Sequence, residues 1–308
     1  MWKRTKTLAL ILLSAAALAL LAFALLRPAS EPEPQYKGRP LSYWLSLYPP
    51  ADAEKRAAAD EAVTQIGTNA LPFLLNWIRY ERPAWRTRAA RALSRMPDPL
   101  QRLTWPWVIS RSETLAGSSG SGFQTLGTNA VGAIPELTRL MRNTNATQTA
   151  RRAIQALTCI GTNSLPSLLS AAEDSRLPVR YYAVYVLGYQ MPTTNAGLNE
   201  AVGSMLLRCL SATNDPDTVQ MAAYGIGLRQ YAPEVSVPAL LACLANAGTN
   251  SSLREGAVVG LGRYGAPAAA ALPALTNALS DASADVRSAA SNAIQQITSA
   301  IATNAPAH

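Results

Sequence analysis

The sequence predicts an all-α fold, a right-handed α-solenoid of about eight two-helix repeats preceded by one N-terminal transmembrane helix. The first supporting observation is the alanine-rich composition, with 49% hydrophobic and 15% charged residues among 308, which is typical of a folded helical protein. A single apolar spacing also recurs along the chain at intervals of 30 to 40 residues, as it does in stacked helical repeats. Finally, an uncharged apolar run occupies residues 7–26.

The apolar run at residues 7–26 predicts a membrane anchor. Its 20 residues span about 30 Å as a helix, the thickness of a bilayer core. Three basic residues precede the run, so the N-terminus is expected to stay in the cytosol. The triplet Ala22-Phe23-Ala24 also has the form of a signal-peptidase site. Two alternatives therefore stand: a single-pass anchor in a bacterial inner membrane with the repeats in the periplasm, or secretion after cleavage near Ala24.

The chain divides into five predicted segments. They are a cytosolic basic stub (1–6), a transmembrane signal anchor (7–26), a Pro-rich spacer with a short amphipathic helix (27–50), a repeat domain (51–302) and a tail (303–308). Within the third segment, Leu41, Trp44, Leu45 and Tyr48 have the i, i+3, i+4, i+7 spacing of one helix face. The remainder of that segment reads as an extended spacer.

The recurring spacing places small or apolar residues at +4, +7, +8 and +11 from a starting residue. The last copy starts at Val286 and continues with Ala290, Ala293, Ile294 and Ile297. Such a stripe lies along one face of a helix, and its alanines allow neighbouring helices to approach closely. The eight copies start at Lys55, Trp85, Leu115, Thr149, Val179, Val219, Leu253 and Val286. The copy at Leu115 fits poorly, because its stripe contains Ser119 and Gly122.

A second predicted helix follows most copies, after a corner written GTNALP at residues 67–72 and GTNSLP at 161–166. We expect the glycine to end the first helix in the left-handed conformation. Asn69, Asn129 and Asn163 are expected to cap the second helix, and the proline to occupy its first turn. The Gly-to-Pro spacing is five in these two copies but eight from Gly127 to Pro135 and from Gly265 to Pro273, as if one turn were added.

The segments VRYYAVYVLG, LREGAVVGLGRYGAPAAAALPAL and DASADVRSAASNAI resemble HEAT repeats, including the bacterial HEAT-like set of phycobilin lyases. An arginine follows the first stripe residue at Arg56, Arg86, Arg180, Arg254 and Arg287. The resemblance covers about residues 51–302. It implies stacked helix pairs and, for most such arrays, binding of other macromolecules. The leader YKGRPLSYWL also resembles the segment that precedes HEAT arrays in exported bacterial proteins.

The sequence favours a non-enzymatic protein without a cofactor or a metal. The only histidine is His308, so a Ser-His-Asp arrangement and a His-rich metal site are excluded. Cys159, Cys209 and Cys243 are far apart in apolar runs and read as small buried hydrophobes. The resemblance leaves a lyase- or glycosylase-like HEAT enzyme as an alternative, but no stripe position carries a carboxylate.

Two further patterns have competing interpretations. The glycines in AGSSGSGFQTLG (116–127) could suggest a phosphate loop, but no GK[ST] follows, which favours a loosened first helix of the third repeat. The arginine after each stripe start could form a ligand-binding ladder. We expect instead that it reaches a carboxylate or a helix C-terminus of a neighbouring repeat, and Asp215, Asp217, Asp281 and Asp285 are the candidate carboxylates.

The candidate partner-binding residues are Arg88, Arg91, Arg95, Trp105 and Trp107. The three arginines lie within about 60° of each other on a helical wheel, and residues 79–152 contain 12 arginines against four acidic residues. The interpretation as an ordinary solvated face competes with that of a binding face, as does the burial of the tryptophans around Pro106.

We therefore predict a membrane-tethered extracytoplasmic scaffold for protein-protein interaction, with a protein partner of unknown identity. An acidic protein is one candidate partner for the arginine-rich half. The alternative is a binder of an anionic cell-envelope polymer or lipid surface. Export of the repeat domain disfavours nucleic acid as a partner.

Overall fold

The computed structural model describes residues 32–48, 52–98, 110–191, 195–211 and 215–304. The chain separates into two units, Met1–Pro34 and Gln35–His308, and the fold described below is that of the second. The predicted anchor at residues 7–26 lies outside the described residues. Within those residues, a search for a helix long and apolar enough to cross a membrane finds none.

A two-strand hairpin precedes the helices. Strands β1 (Gln35–Tyr36) and β2 (Arg39–Pro40) pair in antiparallel register. Lys37 and Gly38 form the turn with φ of 48° and 70°, as a two-residue type I′ hairpin requires. The sequence interpretation of this stretch as an extended spacer overlooked the hairpin, which depends on a lysine adopting a positive φ.

Helix α1 (Leu41–Leu45) follows the hairpin directly. Leu41, Trp44, Leu45 and Tyr48 are all buried, which confirms the face predicted from their spacing. The indole Nε1 of Trp44 donates to the carbonyl oxygen of Tyr36 at 3.3 Å. The hairpin and α1 are thereby joined to each other before the first repeat begins.

Helices then alternate in two sets along the chain. The first helices of the repeats are α2 (Ala53–Ile66), α4 (Ala84–Leu93), α5 (Arg111–Leu126), α7 (Thr147–Ile160), α9 (Arg180–Tyr189), α11 (Pro216–Arg229), α13 (Ser251–Tyr264) and α15 (Ala284–Asn304). The second helices are α3 (Leu71–Trp77), α6 (Ile134–Met141), α8 (Leu165–Glu173), α10 (Ala196–Leu210), α12 (Pro233–Asn246) and α14 (Leu272–Ala278). The predicted alternation is therefore present in the described part of the chain.

The first helices pack on one another in sequence from α5 to α15, and from α6 onward each second helix packs against the next first helix. Packing is closest among α9, α11 and α13. A Cβ on Gly188 would lie 2.9 Å from Cα of Gly225, and one on Gly227 would lie 2.6 Å from Cα of Gly260. Because a larger side chain would force these helices apart, glycine at these positions sets the helix spacing.

Helix α4 departs from the predicted stack. Its stripe, Ala89, Ala92, Leu93 and Met96, was expected to be buried, and none of the four is; this expectation was wrong. Instead α2 and α3 pack directly against α5. The reason is a tight fit, since a Cβ on Gly122 of α5 would lie 2.8 Å from Cδ2 of Leu74 of α3. The small stripe residues that made the copy at Leu115 look poor allow α3 to pack there.

The glycine corners confirm part of the prediction. Gly67, Gly127, Gly161 and Gly265 all have positive φ, between 50° and 88°. Their ψ values lie between −126° and −149°, so they occupy a glycine region outside the left-handed helical one. Pro72, Pro135, Pro166 and Pro273 lie in the first turn of a second helix as predicted, where a missing N–H has no cost.

The predicted asparagine caps are wrong. Asn69, Asn129 and Asn163 lie within short 3-10 helices, Gly67–Ala70, Gly127–Ala133 and Thr162–Ser164, that lead into the second helices. The second helices that follow them begin without a side-chain cap, because the 3-10 turn positions backbone carbonyls at the helix start. The corners with the longer spacing contain longer 3-10 segments, as the added turn predicted.

The repeated arginine has the structural role that the sequence favoured in two places. Arg180 lies 3.6 Å from the carboxylate of Asp215, and Arg254 binds Asp281 at 2.7 and 2.9 Å. In both cases the aspartate precedes the first helix of the next repeat. These pairs therefore connect consecutive repeats.

Candidate functional site

Helix α4 carries the predicted arginine face and is the most exposed of the described helices. None of its residues is buried, and Arg88, Arg91 and Arg95 are all exposed. Four arginines between Trp85 and Met96 give this short helix a strong positive charge. We call Ala84–Leu93 together with Arg95 the basic helix.

The arginines of the basic helix differ from most others in the described chain. Arg79 and Arg82 pair with Glu136 and Glu113, and further pairs hold Arg139, Arg176, Arg180, Arg208 and Arg254. No carboxylate of the described residues lies within ion-pair distance of Arg88, Arg91 or Arg95. Their charge is therefore directed to solvent.

The segment that enters the basic helix is firmly held although the helix is not. Arg152 of α7 donates to the carbonyl oxygens of Ile78 at 3.3 Å and Tyr80 at 2.5 Å. The hydroxyl of Ser110 donates to Tyr80 Oη at 3.1 Å. Burial lowers the pKa of Arg152, yet the guanidinium remains charged at neutral pH. Hydrogen bonds to α7 and Ser110 thus hold in place the residues that precede the basic helix.

The two predicted tryptophans, Trp105 and Trp107, lie outside the described residues. A third tryptophan that was not among the predicted site residues does lie within them. Trp85, at the start of the basic helix, is 59% exposed, and the guanidinium carbon of Arg86 lies 5.1 Å from its ring centroid. An exposed tryptophan beside arginines is a typical feature of binding hot spots.

A second surface, which the sequence interpretation did not identify, extends across α5, α7 and the end of α9. It is an open cavity of about 530 Å³ lined by Gly117 and Gly120, by Gln124, Gln155 and Gln190, and by small polar residues with Cys159. A smaller cavity of about 230 Å³ adjoins it, shares Ser121 and Gln124, and extends to Arg56 and Asp60 of α2. We call the larger cavity the amide groove.

The glutamines of the amide groove are held by neighbouring groups. Tyr182 Oη donates to Gln155 Oε1 at 2.7 Å, and Gln155 Nε2 donates to Gln190 Oε1 at 3.2 Å. Burial raises the pKa of Tyr182, so its hydroxyl stays protonated and remains a donor. The Arg151 guanidinium lies 4.8 Å from the Tyr182 ring, which also contacts the stacked ring of Tyr185 at 5.8 Å and the edge-on ring of Tyr181 at 6.4 Å.

The described residues offer little for metal binding or nucleophilic chemistry. A search of them for three or more His, Cys, Asp or Glu side chains that could hold a metal finds none. The three cysteines are unpaired; Cys209 is buried, whereas Cys159 and Cys243 are half-buried. Burial raises the pKa of all three thiols, which disfavours the reactive thiolate.

The glycine-rich stretch of the third repeat is a regular helix, α5, with an N-terminal cap from Ser110 to the backbone N–H of Glu113 at 3.2 Å. Its glycines are of two kinds. Gly122 faces the core against Leu74, whereas a Cβ on Gly117 or Gly120 would meet nothing within 4 Å. The interpretation of this stretch as a first helix is correct, although the helix is not loosened.

Comparison with protein families finds one match, to the HEAT repeat, over residues 271–301. This region contains α14 and most of α15, joined by the Arg254–Asp281 pair to the preceding repeat. No curated protein matches the chain. Together with the helix pairs that pack in a repeat-like way through the described chain, the match confirms the resemblance derived from the stripe and shows a HEAT repeat at residues 271–301.

Proposed function

We propose that the chain is a non-catalytic scaffold that binds an acidic protein through the basic helix, and that residues 7–26 anchor it in a bacterial inner membrane with the repeats in the periplasm. A HEAT repeat already suggests a helical-repeat scaffold for protein interaction, since stacked repeats offer long surfaces for binding. The acidic partner and the membrane anchor are additions that follow from the charge pattern and the apolar run.

The unpaired charge of the basic helix is the observation that supports this proposal. Arginines that only stabilise the fold find carboxylates or carbonyl oxygens within it, as Arg180 and Arg254 do. Those at Arg88, Arg91 and Arg95 project from a helix without buried residues. A partner that supplies carboxylates would complete charge-assisted hydrogen bonds there.

Charge reversal tests the proposal. The triple variant R88E/R91E/R95E should lose the partner in pull-downs with the full chain, because like charges at an interface repel. The triple variant R142E/R176E/R263E changes the net charge equally at exposed positions elsewhere and should retain it. A photo-crosslinker at Thr87 should capture the same partner, whereas one at Thr276 should not. Equal recovery by both triple variants would remove the basic helix from the proposal.

The exposed Trp85 favours a second candidate function, binding to an anionic lipid surface or cell-envelope polymer. A tryptophan beside cationic residues suits a membrane interface. Vesicles containing phosphatidylglycerol should then bind the full chain, with an affinity that falls steeply as salt is raised. Strong vesicle binding that R88E/R91E/R95E abolishes, without any crosslinked protein, would favour this second function.

A further inference from the structure

We propose that the amide groove binds an extended peptide segment, which crosses α5, α7 and α9 and is held through its backbone by Gln124, Gln155 and Gln190. The groove contains none of the residues of the basic helix, so this inference goes beyond the function proposed above. It rests on three features: the glycines Gly117 and Gly120 that line the groove (the glycine floor), the carboxamides of Gln124, Gln155 and Gln190 (the amide row), and the spacing of the packed helices.

The floor of the groove consists of glycines that internal packing does not require. A glycine in a helix interior costs about 1 kcal/mol relative to alanine. At Gly188 and Gly227 that cost accompanies close helix contact, because a Cβ would lie within 3 Å of a neighbouring backbone atom. At Gly117 and Gly120 the same Cβ would meet only open space. Glycine there allows a ligand backbone to approach α5 closely.

The walls of the groove provide one carboxamide from α5, one from α7 and one directly after α9. Each carboxamide can donate and accept a hydrogen bond at once, as a peptide group does, so it recognises a backbone regardless of the side chains. Packed helices lie about 8 to 10 Å apart, and three residues of an extended chain cover about 10 Å. Gln155 and Gln190 are hydrogen-bonded to each other at 3.2 Å and would therefore meet one stretch of the peptide, while Gln124 of α5 would meet another about three residues away.

The amide row is partly arranged before a ligand arrives. The chain of bonds from Tyr182 to Gln155 to Gln190 fixes two of the three carboxamides. Each Nε2 carries two N–H groups. Those of Gln155 reach Gln190 Oε1 at 3.2 Å and Cys159 Sγ at 4.0 Å, so the free donors of this pair are the two N–H groups of Gln190. Less side-chain freedom is lost on binding when the groups are already ordered.

The neighbouring rings favour a peptide over a glycan. A sugar ring binds to an open aromatic face, but the Tyr182 ring, which is hydrogen-bonded to the amide row, already contacts Arg151 and Tyr185. The larger cavity is lined by uncharged residues, which suits a neutral backbone. At the adjoining cavity Arg56 is exposed, while Asp60 already accepts hydrogen bonds from Tyr48 and Thr125. An acidic peptide residue fits at that end.

Two helix spacings separate α5 from α9, which corresponds to about 20 Å or six extended residues. The adjoining cavity reaches α2 and adds about three more residues. The probe for the experiment is therefore a library of random nonapeptides displayed on phage and selected on the full chain. One enriched peptide is then synthesised with a fluorescent label for anisotropy titration.

The variant G117Q/G120Q fills the groove floor. Because glutamine is a better helix former than glycine, its melting temperature should equal or exceed that of the wild type. We expect its affinity for the enriched peptide to fall at least tenfold. The control G132Q/G197Q replaces glycines whose Cβ would meet no closer atom than 3.5 Å, and it should bind like the wild type.

Cysteine protection locates the bound peptide. Cys159 lines the groove and Cys243 lines a separate cavity between α10 and α12, so the two half-buried thiols serve as probe and internal control. At alkaline pH the peptide should slow alkylation of Cys159 and leave Cys243 unchanged, as measured by mass spectrometry. Failure to enrich any peptide, equal binding by G117Q/G120Q, or protection of Cys159 by chitohexaose alone would each overturn the proposal.

Discussion

The guanidinium of Arg254 makes three hydrogen bonds that connect one repeat to the next. Two go to the carboxylate of Asp281 at 2.7 and 2.9 Å, and one goes to the carbonyl oxygen of Gly248 at 2.6 Å. The side chains of the pair are only 17% and 11% exposed, so solvent screens the interaction weakly. Hydrogen bonds from Arg254 hold the pKa of Asp281 below its ordinary value.

Replacement of Asp281 by asparagine tests this connection. We expect D281N to lower the free energy of unfolding by about 1 to 3 kcal/mol at neutral pH, because a mostly buried guanidinium loses its charged acceptor. Since the pKa of Asp281 is lower in the folded state, the carboxylate stabilises the fold above the unfolded pKa of 3.8 and loses this effect as pH falls further.

The difference between wild type and D281N in urea unfolding should therefore shrink as pH falls below 3.8. The exposed Asp285 provides the matched control, and D285N should change stability by no more than about 0.5 kcal/mol. A difference that stays constant down to strongly acidic pH would show that the carboxylate charge is not the cause.

At the scale of the element, the stripe predicts each first helix but not its neighbours. The +4, +7, +8, +11 spacing correctly places α4, because helix formation is a local property. Its burial is decided by distant residues, since Leu74 of α3 packs against Gly122 of α5. The corners divide similarly: Gly161 and Pro166 were predictable from backbone limits, whereas Asn163 was not, because a 3-10 turn occupies the position of its cap.

Removal of the segment that contains the basic helix tests whether it is needed for the stack. A variant in which a short Gly-Ser linker replaces residues 84–109 should fold, because Tyr80 Oη and Ser110 Oγ already lie 3.1 Å apart and α3 packs on α5. We expect its melting temperature to stay within about 5 °C of the wild type, a stability change of the order of 1 kcal/mol.

Circular dichroism and thermal scans provide this measurement. The control variant has the same linker in place of residues 180–210, which form α9 and α10. This deletion should abolish cooperative unfolding, because α9 contacts α11 through Gly188 and Gly225. If both deletions unfold the protein, α4 contributes to the stack in a way that its exposed stripe does not suggest.

At the scale of the whole molecule, the repeats are packed unevenly. Glycine contacts bring α9, α11 and α13 close together, whereas α5 and α7 leave the amide groove between them. The basic helix could be identified from the sequence because its arginines are three or four residues apart and so lie on one face of a single helix. It could not locate the groove, because Gln124, Gln155 and Gln190 belong to three repeats and occupy different positions relative to their stripes.

Hydrogen exchange should reveal the uneven packing. We expect the slowest amide exchange in α11 and α13, whose backbones pack most closely, and the fastest among the first helices in α4. Mass spectrometry of peptic fragments makes the comparison, and G260A serves as the sensitive variant because its added Cβ would lie 2.5 Å from the carbonyl oxygen of Ala223. Slow exchange of α4, equal to that of α13, would contradict the exposed position described for it.

The direct packing of α3 on α5 also has an evolutionary consequence. A segment that emerges and returns at neighbouring points can be exchanged, lengthened or lost by mutation while the repeats on either side keep their contacts. Selection for a new partner would then act on one short stretch of the gene. Related proteins are expected to vary most in length and composition between Pro83 and Ser110, and least at the glycines that join α9, α11 and α13.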